Sequence, residues 1–301
     1  MAFAKRLFLF MATNIAIMAM VTIVIQVLGI GPSIDAYGVN YGNLMSICLL
    51  WGMVGSFISL MMSKKMAYWF MGVKRVENNP QYQNLVSTVH QIAQRAGMRK
   101  LPEVGVYASP EVNAFATGPS KDNSLVAVSE GLLRSMSKDE VEGVLAHEVS
   151  HIVNGDMVTM TLIQGVVNAF VMFGARVATF AIDNFLRGDD DEGEGLGFIA
   201  QTVSIILFQI VFGLIGAMVT GAFSRGREYR ADKGAASLVG SGKMIAALKR
   251  LQTATAHNLV TDDSDAIAAL KISSKPKGLM HFLATHPPLE DRIAALQGFK
   301  S

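Results

Sequence analysis

The sequence HEVSH at residues 147–151 has the composition and spacing of a metal site. Two histidines four residues apart lie on the same face of a helix, so His147 and His151 can bind one metal ion while Glu148 faces a water molecule held by that ion. A catalytic zinc site has three protein ligands and an open fourth position. The motif therefore predicts two zinc ligands and a general base, and it requires a third ligand elsewhere. The alternative is a surface helix with two solvated histidines.

The residues around the motif specify the helix that must hold it. Ser137 and Glu140 match the capping box that begins helices, and Asn154-Gly155 matches a left-handed helix end. Between them, apolar residues recur at helical spacing and form one inner stripe, made of Val141, Val144, Leu145 and Ile152. We therefore predict one helix over residues 138–154.

The composition of the whole chain indicates a membrane protein. Of its 301 residues, 51% are hydrophobic and only 17% are charged, and the mean hydropathy is +0.36; a cytosolic enzyme is normally more polar. Cys48 is the single cysteine, which excludes an internal disulfide framework and a cysteine metal site. A net charge of +2 without a concentrated basic tract argues against nucleic acid as a partner.

Two uncharged segments near the N-terminus are long enough to cross a bilayer. We predict transmembrane helices over residues 7–30 and 44–62, with a cleaved signal peptide as the alternative for the first. The loop between them has no basic residue, whereas the second segment is followed by Lys64, Lys65, Lys74 and Arg75. Because basic residues accumulate on the cytoplasmic side, the N-terminus and the chain after the second segment are predicted to be cytoplasmic.

Two further apolar segments, residues 157–182 and 196–224, flank an acidic loop at residues 189–194. They are interpreted as a transmembrane hairpin, with hydrophobic helices that shield the site as the alternative. Arg176 interrupts the first segment and is expected to extend towards the far interface. A hairpin returns the chain to the side that it left, so a ligand that follows it can reach the motif.

The predicted third zinc ligand is Glu228, which follows the hairpin. Asp232 lies one helical turn further on and is predicted to accept a hydrogen bond from the outer ring nitrogen of His147. The alternative is a surface network in which both acids pair with neighbouring arginines.

The segment before the motif predicts a small antiparallel sheet. Residues 102–108, 112–117 and 125–129 match short strands, with a turn at residues 118–119. The strand that includes Asn113 is the predicted edge strand. Beside a metal ion, such an edge could hold an extended substrate peptide, and Asn113 could clamp its backbone. A purely structural hairpin is the alternative.

A last cluster opens the terminal helix with His286-Pro287-Pro288. His286 is a candidate donor to the oxyanion that forms when water attacks a peptide carbonyl, or else a local cap.

Together these features predict an α+β membrane protein, mainly helical, with four transmembrane helices and a zincin-type cytoplasmic domain that contains the small sheet. The predicted regions are an N-terminal membrane region (1–66), a zincin part (67–156), a transmembrane hairpin (157–224) and a cytoplasmic helical part with the third ligand (225–301).

The chain resembles the bacterial HtpX membrane proteases, which are related to the integral-membrane proteases that trim prenylated CaaX proteins. The resemblance covers essentially the whole chain and rests on the two N-terminal spans, Asn113-Ala114-Phe115-Ala116, the HEVSH motif with Asp156, the apolar hairpin, Glu228 with Asp232, and His286-Pro287-Pro288 with Arg292.

This resemblance implies a multi-pass zinc endopeptidase of the bacterial inner membrane, with one zinc ion per chain and its active site in the cytoplasm. It implies His147, His151 and Glu228 as ligands and Glu148 as the catalytic residue. It also implies a role in the stress-linked quality control of misfolded membrane proteins, overlapping with the FtsH protease. Further residues are candidates by position: Asp156 and Asp232 beside the ligands, and Asn113, Ala114, His286 and Arg292 for contacts with the substrate or transition state.

Other functions are weighed against this one. A transporter would carry its charged residues within the spans, where Arg176 stands alone. A membrane scaffold with a structural zinc ion would need four closed protein ligands. Within the peptidases, a prenyl-protein-type protease is the alternative, although four spans are few for its membrane chamber.

Overall fold

The computed structural model describes residues 41–187, 195–258 and 283–299. The predicted span over residues 7–30 and the acidic loop at residues 189–194 lie outside the described residues. The helices are α1 (Tyr41–Phe70), α2 (Gln83–Arg95), α3 (Glu130–Ser135), α4 (Lys138–Asn154), α5 (Asp156–Arg187), α6 (Phe198–Val239), α7 (Ser241–Asn258) and α8 (Leu289–Gln297). The strands are β1 (Lys74–Arg75), β2 (Glu103–Tyr107), β3 (Ala114–Ser120) and β4 (Asn123–Ser129).

Three of the described helices are long and apolar enough to cross a membrane. They lie over Gly42–Phe70, Asp156–Leu186 and Phe198–Val239, and they correspond to three of the four predicted spans. The last helix extends well beyond its predicted end at residue 224. Glu228 and Asp232 therefore lie on the same continuous helix as the apolar segment that precedes them.

The sheet is mixed, so the prediction of an antiparallel sheet was wrong. Its strand order is β1-β2-β4-β3, and β2 pairs with β4 in parallel while the other two pairs are antiparallel. After β2 the chain passes first to the edge strand β3 and then returns as β4, which places β4 beside β2 in the same direction. Sequence spacing predicts the strands themselves but not which distant strands pair. The predicted edge position of β3 is confirmed.

The predicted turn at Gly118-Pro119 was also wrong. Both residues lie within β3, and the hairpin turns at residues 121–122. The register between β3 and β4 shifts by one residue at this point, which marks a β-bulge. Gly118 has a φ of 143°, and a Cβ atom there would lie 2.2 Å from Asn123 O. The glycine therefore allows the backbones of β3 and β4 to approach closely at the bulge. This explains why Gly118-Pro119 does not end the strand.

The described residues form two compact units. The first is mainly apolar, and its buried core contains Leu44, Cys48, Ala169 and Met172. The second contains the sheet, α2, α4, α7 and α8. In numbers, the first unit comprises 41–57, 162–187 and 195–220, and the second comprises 58–161, 221–258 and 283–299.

The sheet of the second unit is covered on both faces. One face borders a core that also contains residues of α2, α4, α7 and α8 and includes Val104, Val126, Leu145, Ile152 and Leu248. The other face packs against the end of α1 through Ala67, Leu125 and Ala127. Helix α4 is thus fixed between the sheet and α7, which gives its side chains a rigid platform.

Candidate metal centre

Helix α4 begins and ends as its sequence specifies. Ser137 Oγ accepts a hydrogen bond from the Glu140 backbone N, and the Glu140 carboxylate accepts one from the Ser137 backbone N, so the capping box is complete. At the other end Gly155 has a φ of 70°, the left-handed conformation that terminates a helix. Both ends are therefore defined, and the two histidines keep a fixed spacing between them.

Three side-chain donors converge at one point beside α4. The Nε2 atoms of His147 and His151 lie 3.1 Å apart. Glu228, from α6, places its carboxylate oxygens 3.4 Å from His147 Nε2 and 3.3 Å from His151 Nε2. In the described part of the chain, these three residues form a group that could hold a metal ion.

The spacing of the donors fits a tetrahedral ion. Ligand bonds of about 2.0–2.1 Å in tetrahedral geometry separate the donor atoms by about 3.3–3.4 Å. Glu228 Oε2 is also buried and, within the described residues, accepts no well-oriented hydrogen bond, whereas a buried carboxylate oxygen normally has a partner. A divalent cation at this point would satisfy it.

A carboxylate holds the outer nitrogen of each histidine. Asp232 Oδ1 lies 2.9 Å from His147 Nδ1, and Asp156 Oδ2 lies 2.6 Å from His151 Nδ1. An Nδ1–H that donates to a carboxylate leaves Nε2 free to coordinate, and it fixes the orientation of the ring. Both Nε2 lone pairs are thereby directed to the same point.

Arg292, from α8, is buried against these acids. Its Nε and Nη2 atoms lie 2.7 and 2.6 Å from the two oxygens of Asp232, and its Nη1 lies 3.3 Å from Glu228 Oε2. This forked contact fixes the plane of the Asp232 carboxylate and compensates its charge in the interior.

The electrostatics of the site favour positive charge at the donor atoms. Burial alone lowers the pKa of His147, but the carboxylates of Asp232 and Glu228 beside the ring outweigh that effect and raise the pKa to about 9. Without a metal ion, a proton on His147 compensates the negative charge of these carboxylates. A bound metal ion would replace that proton.

Glu148 follows His147 in the helix, and its carboxylate contacts the backbone of β3. Burial raises the pKa of Glu148, while His147 and His151 oppose the shift and a hydrogen bond from the Ala116 backbone also lowers it. Ala116 belongs to the edge strand β3, so this carboxylate lies between the metal ligands and the free edge of the sheet. A raised pKa suits a group that must accept and return a proton near neutral pH.

The remaining predicted residues have different surroundings. His286 Nδ1 lies 2.9 Å from Glu228 Oε2. The backbone N of Asn113 donates to Ser129 Oγ, and Ala114 packs against the core, so their described contacts are with the sheet and not with the donors.

Two arginine contacts were not indicated by the sequence. Arg225 donates to Ala284 O at 2.7 Å, which fastens the segment that carries His286 to α6. Arg227 Nη1 lies 3.5 Å from Asp156 O and so links α6 to the start of α5. Both depend on tertiary packing, although a cluster of arginines around Glu228 is visible in the sequence.

Comparison with known proteins identifies the family. Residues 79–300, which include every residue of the candidate centre, match peptidase family M48. The chain belongs to peptidase family M48. This M48 protein is also 50% identical over 296 residues to Protease HtpX of Shewanella sp. strain ANA-3, covering 97% of this chain and 99% of that protein. Protease HtpX of Shewanella pealeana is likewise 50% identical over 297 residues, with the same coverage.

The M48 protein is therefore a metalloprotease of the HtpX type, and the resemblance seen in its sequence is confirmed. The three long apolar helices of its described part agree with an integral membrane protein. The fold is similar to that in the crystal structure of S. mikatae Ste24p, with a TM-score of 0.61 and 21% sequence identity. The match covers 94% of the M48 chain but only 66% of Ste24p, and it concerns the fold alone.

Proposed function

We propose that this chain is a zinc-dependent endopeptidase that cleaves misfolded or damaged membrane proteins at the cytoplasmic face of the bacterial inner membrane. One observation carries the proposal. Two imidazole nitrogens and a buried carboxylate, 3.1 to 3.4 Å apart, converge beside Glu148 in a chain of a metalloprotease family.

The donor set supports zinc over other common ions. Mg²⁺ and Ca²⁺ prefer oxygen ligands, whereas two imidazoles and one carboxylate are a common catalytic zinc set. Among the described residues the centre offers three protein donors, as expected for a catalytic site with an open position.

The residues of the chain would divide the chemistry between them. His147, His151 and Glu228 would hold a zinc ion, which would supply Lewis acidity to the scissile carbonyl and to a water molecule. Glu148 accepts the proton of the attacking water at its carboxylate and delivers it to the leaving amine. Asp232 and Asp156 accept the Nδ1–H groups of the two imidazoles and orient the rings, so that each Nε2 lone pair would face the ion.

The edge strand β3 supports an extended substrate. Its free side is unpaired in the described sheet, and Ala116 brings it next to Glu148. A peptide that adds to this edge as a further strand would have its backbone held at fixed register beside the carboxylate. Ala114 begins this strand, Asn113 directly precedes it, and His286 Nδ1 lies 2.9 Å from Glu228 Oε2, so these three remain candidate contacts for the substrate.

The cellular part of the proposal rests on topology and family. The basic residues after the α1 apolar segment favour a cytoplasmic site. A role in membrane-protein quality control, overlapping with FtsH, follows from the resemblance to HtpX proteases. Reporter fusions between residues 189 and 194 would test the orientation, and a periplasmic signal is expected.

The decisive experiment combines metal analysis with proteolysis. Detergent-purified wild type, Glu148→Gln and the half-exposed control Glu130→Gln are compared for zinc content and for casein cleavage. We expect Glu148→Gln to retain about one zinc ion and lose cleavage by at least about 100-fold, because a general base contributes 10²–10⁴-fold. Glu130→Gln should match the wild type, because Glu130 forms only a surface ion pair with Arg134.

His147→Ala and Glu228→Ala should lose the metal as well as the activity. Casein cleavage by purified Glu148→Gln at the wild-type rate would refute the role of Glu148. Full activity in protein that contains no zinc would refute the metal assignment.

A further inference from the structure

A patch of exposed aromatic and basic side chains surrounds the end of α1. We define the interfacial patch as Lys65, Trp69, Phe70, Met71 and Lys74. Trp69 and Phe70 are 71% and 78% exposed, and Met71 is 45% exposed. Large apolar side chains grouped at this exposure mark a surface that meets something other than water.

The opposite side of the same helix end is fixed to the sheet. Lys64 Nζ lies 2.9 Å from Glu103 Oε2 and 2.8 Å from Asn123 Oδ1, and the Tyr68 hydroxyl also donates to Glu103. Ala67 is buried against the sheet. These contacts hold the helix end in one orientation, so the interfacial patch is presented without further ordering of the backbone.

The exposed face of α1 changes character at Lys65. Before it, Ile58, Met61 and Met62 form an exposed and purely apolar face. One turn later the same face carries a lysine, and the next turn carries Trp69 and Phe70. Helices show this order where they leave the hydrocarbon and enter the headgroup region, because tryptophan and lysine have an apolar body and a polar end.

The interfacial patch has positive charge that no acid of the described residues neutralises. Lys65 and Lys74 are both exposed, and neither forms an ion pair within the described part of the chain. The neighbouring Arg75 faces Glu77 at 3.5 Å and Glu103 at 3.8 Å and is therefore partly compensated. The unpaired charge of the patch thus belongs to the two lysines that flank the aromatic pair.

We propose that the interfacial patch binds the headgroups of anionic phospholipids. The two lysines contact the phosphate oxygens, and Trp69 and Phe70 lie at the boundary between headgroups and acyl chains. Continuity with a helix that can span the bilayer places a lipid surface here more directly than a protein partner. A basic residue beside an anionic leaflet strengthens the attraction by roughly fivefold.

Tryptophan fluorescence tests this binding in the full chain. The protein has two tryptophans, so Trp51→Phe leaves Trp69 as the only reporter. The variant is reconstituted in phosphatidylcholine vesicles with 20 mol % of a brominated lipid (about one lipid in five), either phosphatidylglycerol or phosphatidylcholine. Brominated lipids quench a tryptophan that they contact, so the ratio of the two quenching values measures the local enrichment of the anionic lipid. We expect a ratio well above one at low salt, falling as salt is added.

Two charge variants complete the test. Lys65→Gln with Lys74→Gln should bring the ratio close to one. Lys138→Gln with Lys249→Gln removes the same charge from exposed positions on α4 and α7 and should leave it unchanged. Equal quenching by both lipids in the Trp51→Phe parent would overturn the proposal. So would an unchanged quenching ratio in the Lys65→Gln, Lys74→Gln variant, or an equal fall of the ratio in the Lys138→Gln, Lys249→Gln control. Absence of quenching by either lipid would show that something other than lipid covers the interfacial patch.

Discussion

Replacing Asp232 by asparagine should weaken metal binding although all three proposed ligands remain. Asp232 Oδ1 lies 2.9 Å from His147 Nδ1, and its two oxygens also receive the fork of Arg292 at 2.6 and 2.7 Å. An asparagine has one acceptor oxygen and no charge. Its oxygen can still accept from His147 Nδ1 and Arg292 Nη2 at the position of Oδ1, but its NH2 group would face Arg292 Nε where Oδ2 now accepts, and the negative charge between the two partners is lost.

The size of the effect follows from the role of Asp232. Loss of a carboxylate that orients a ligand histidine costs about 10- to 100-fold in metal affinity, or about 1.4–2.7 kcal/mol. The substitution also leaves Arg292 buried with a weaker partner. Breaking a buried ion pair costs about 3–5 kcal/mol, and the retained amide oxygen reduces that loss in the free energy of unfolding.

Two measurements separate metal affinity from folding. The dissociation constant for zinc is obtained by competition with a chromophoric chelator at constant pH, and the fold of each variant is checked by circular dichroism. Asp291→Asn is the matched control, because Asp291 is exposed and adjacent to Arg292 in sequence. It should bind zinc as the wild type does.

An unchanged zinc dissociation constant in folded Asp232→Asn would refute the argument that this carboxylate prepares His147 for coordination. An equal loss of affinity in Asp291→Asn would attribute the effect to net charge. The expected result is a loss confined to Asp232→Asn.

Two further outcomes follow from the structure. In chelator-treated protein, the pKa of His147 near 9 lies above its unfolded value of about 6.5. Its contribution to stability is therefore complete below about pH 6.5 and is lost as the pH rises through 9, which urea unfolding at several pH values would reveal; zinc-loaded protein should lack this loss. Gly118→Ala should destabilise the fold by about 1–3 kcal/mol, because its Cβ would meet Asn123 O in a strained backbone. Gly242→Ala, where nothing lies within 4 Å of the new Cβ, should change stability by less than about 1 kcal/mol, and thermal unfolding of both variants checks the pair.

Local signals in the sequence predicted the elements that hold the candidate centre. The capping box at Ser137 and the left-handed Gly155 define α4 with the predicted bounds, because both depend on residues within a few positions of each other. The topology of the apolar segments pointed to Glu228 as a partner for the motif, and the structure brings it to the two imidazoles. Its role as a ligand stays a prediction.

Contacts between residues far apart in the chain could not be predicted from the sequence. The parallel pairing of β2 with β4 depends on the order in which the chain adds strands, and spacing alone does not contain it. Glycine followed by proline usually breaks a strand, so the pair Gly118-Pro119 predicts a turn where the structure has a bulge. The forked contact between Arg292 and Asp232 joins residues 60 positions apart, so no local sequence pattern predicts it.

A single residue, Gly155, separates α4 from α5. The carboxylate that holds the outer nitrogen of His151 therefore belongs to the first residue of an apolar helix long enough to cross a membrane. Within the described residues, the orientation of one proposed ligand ring therefore depends on the residue at which a possible membrane span begins.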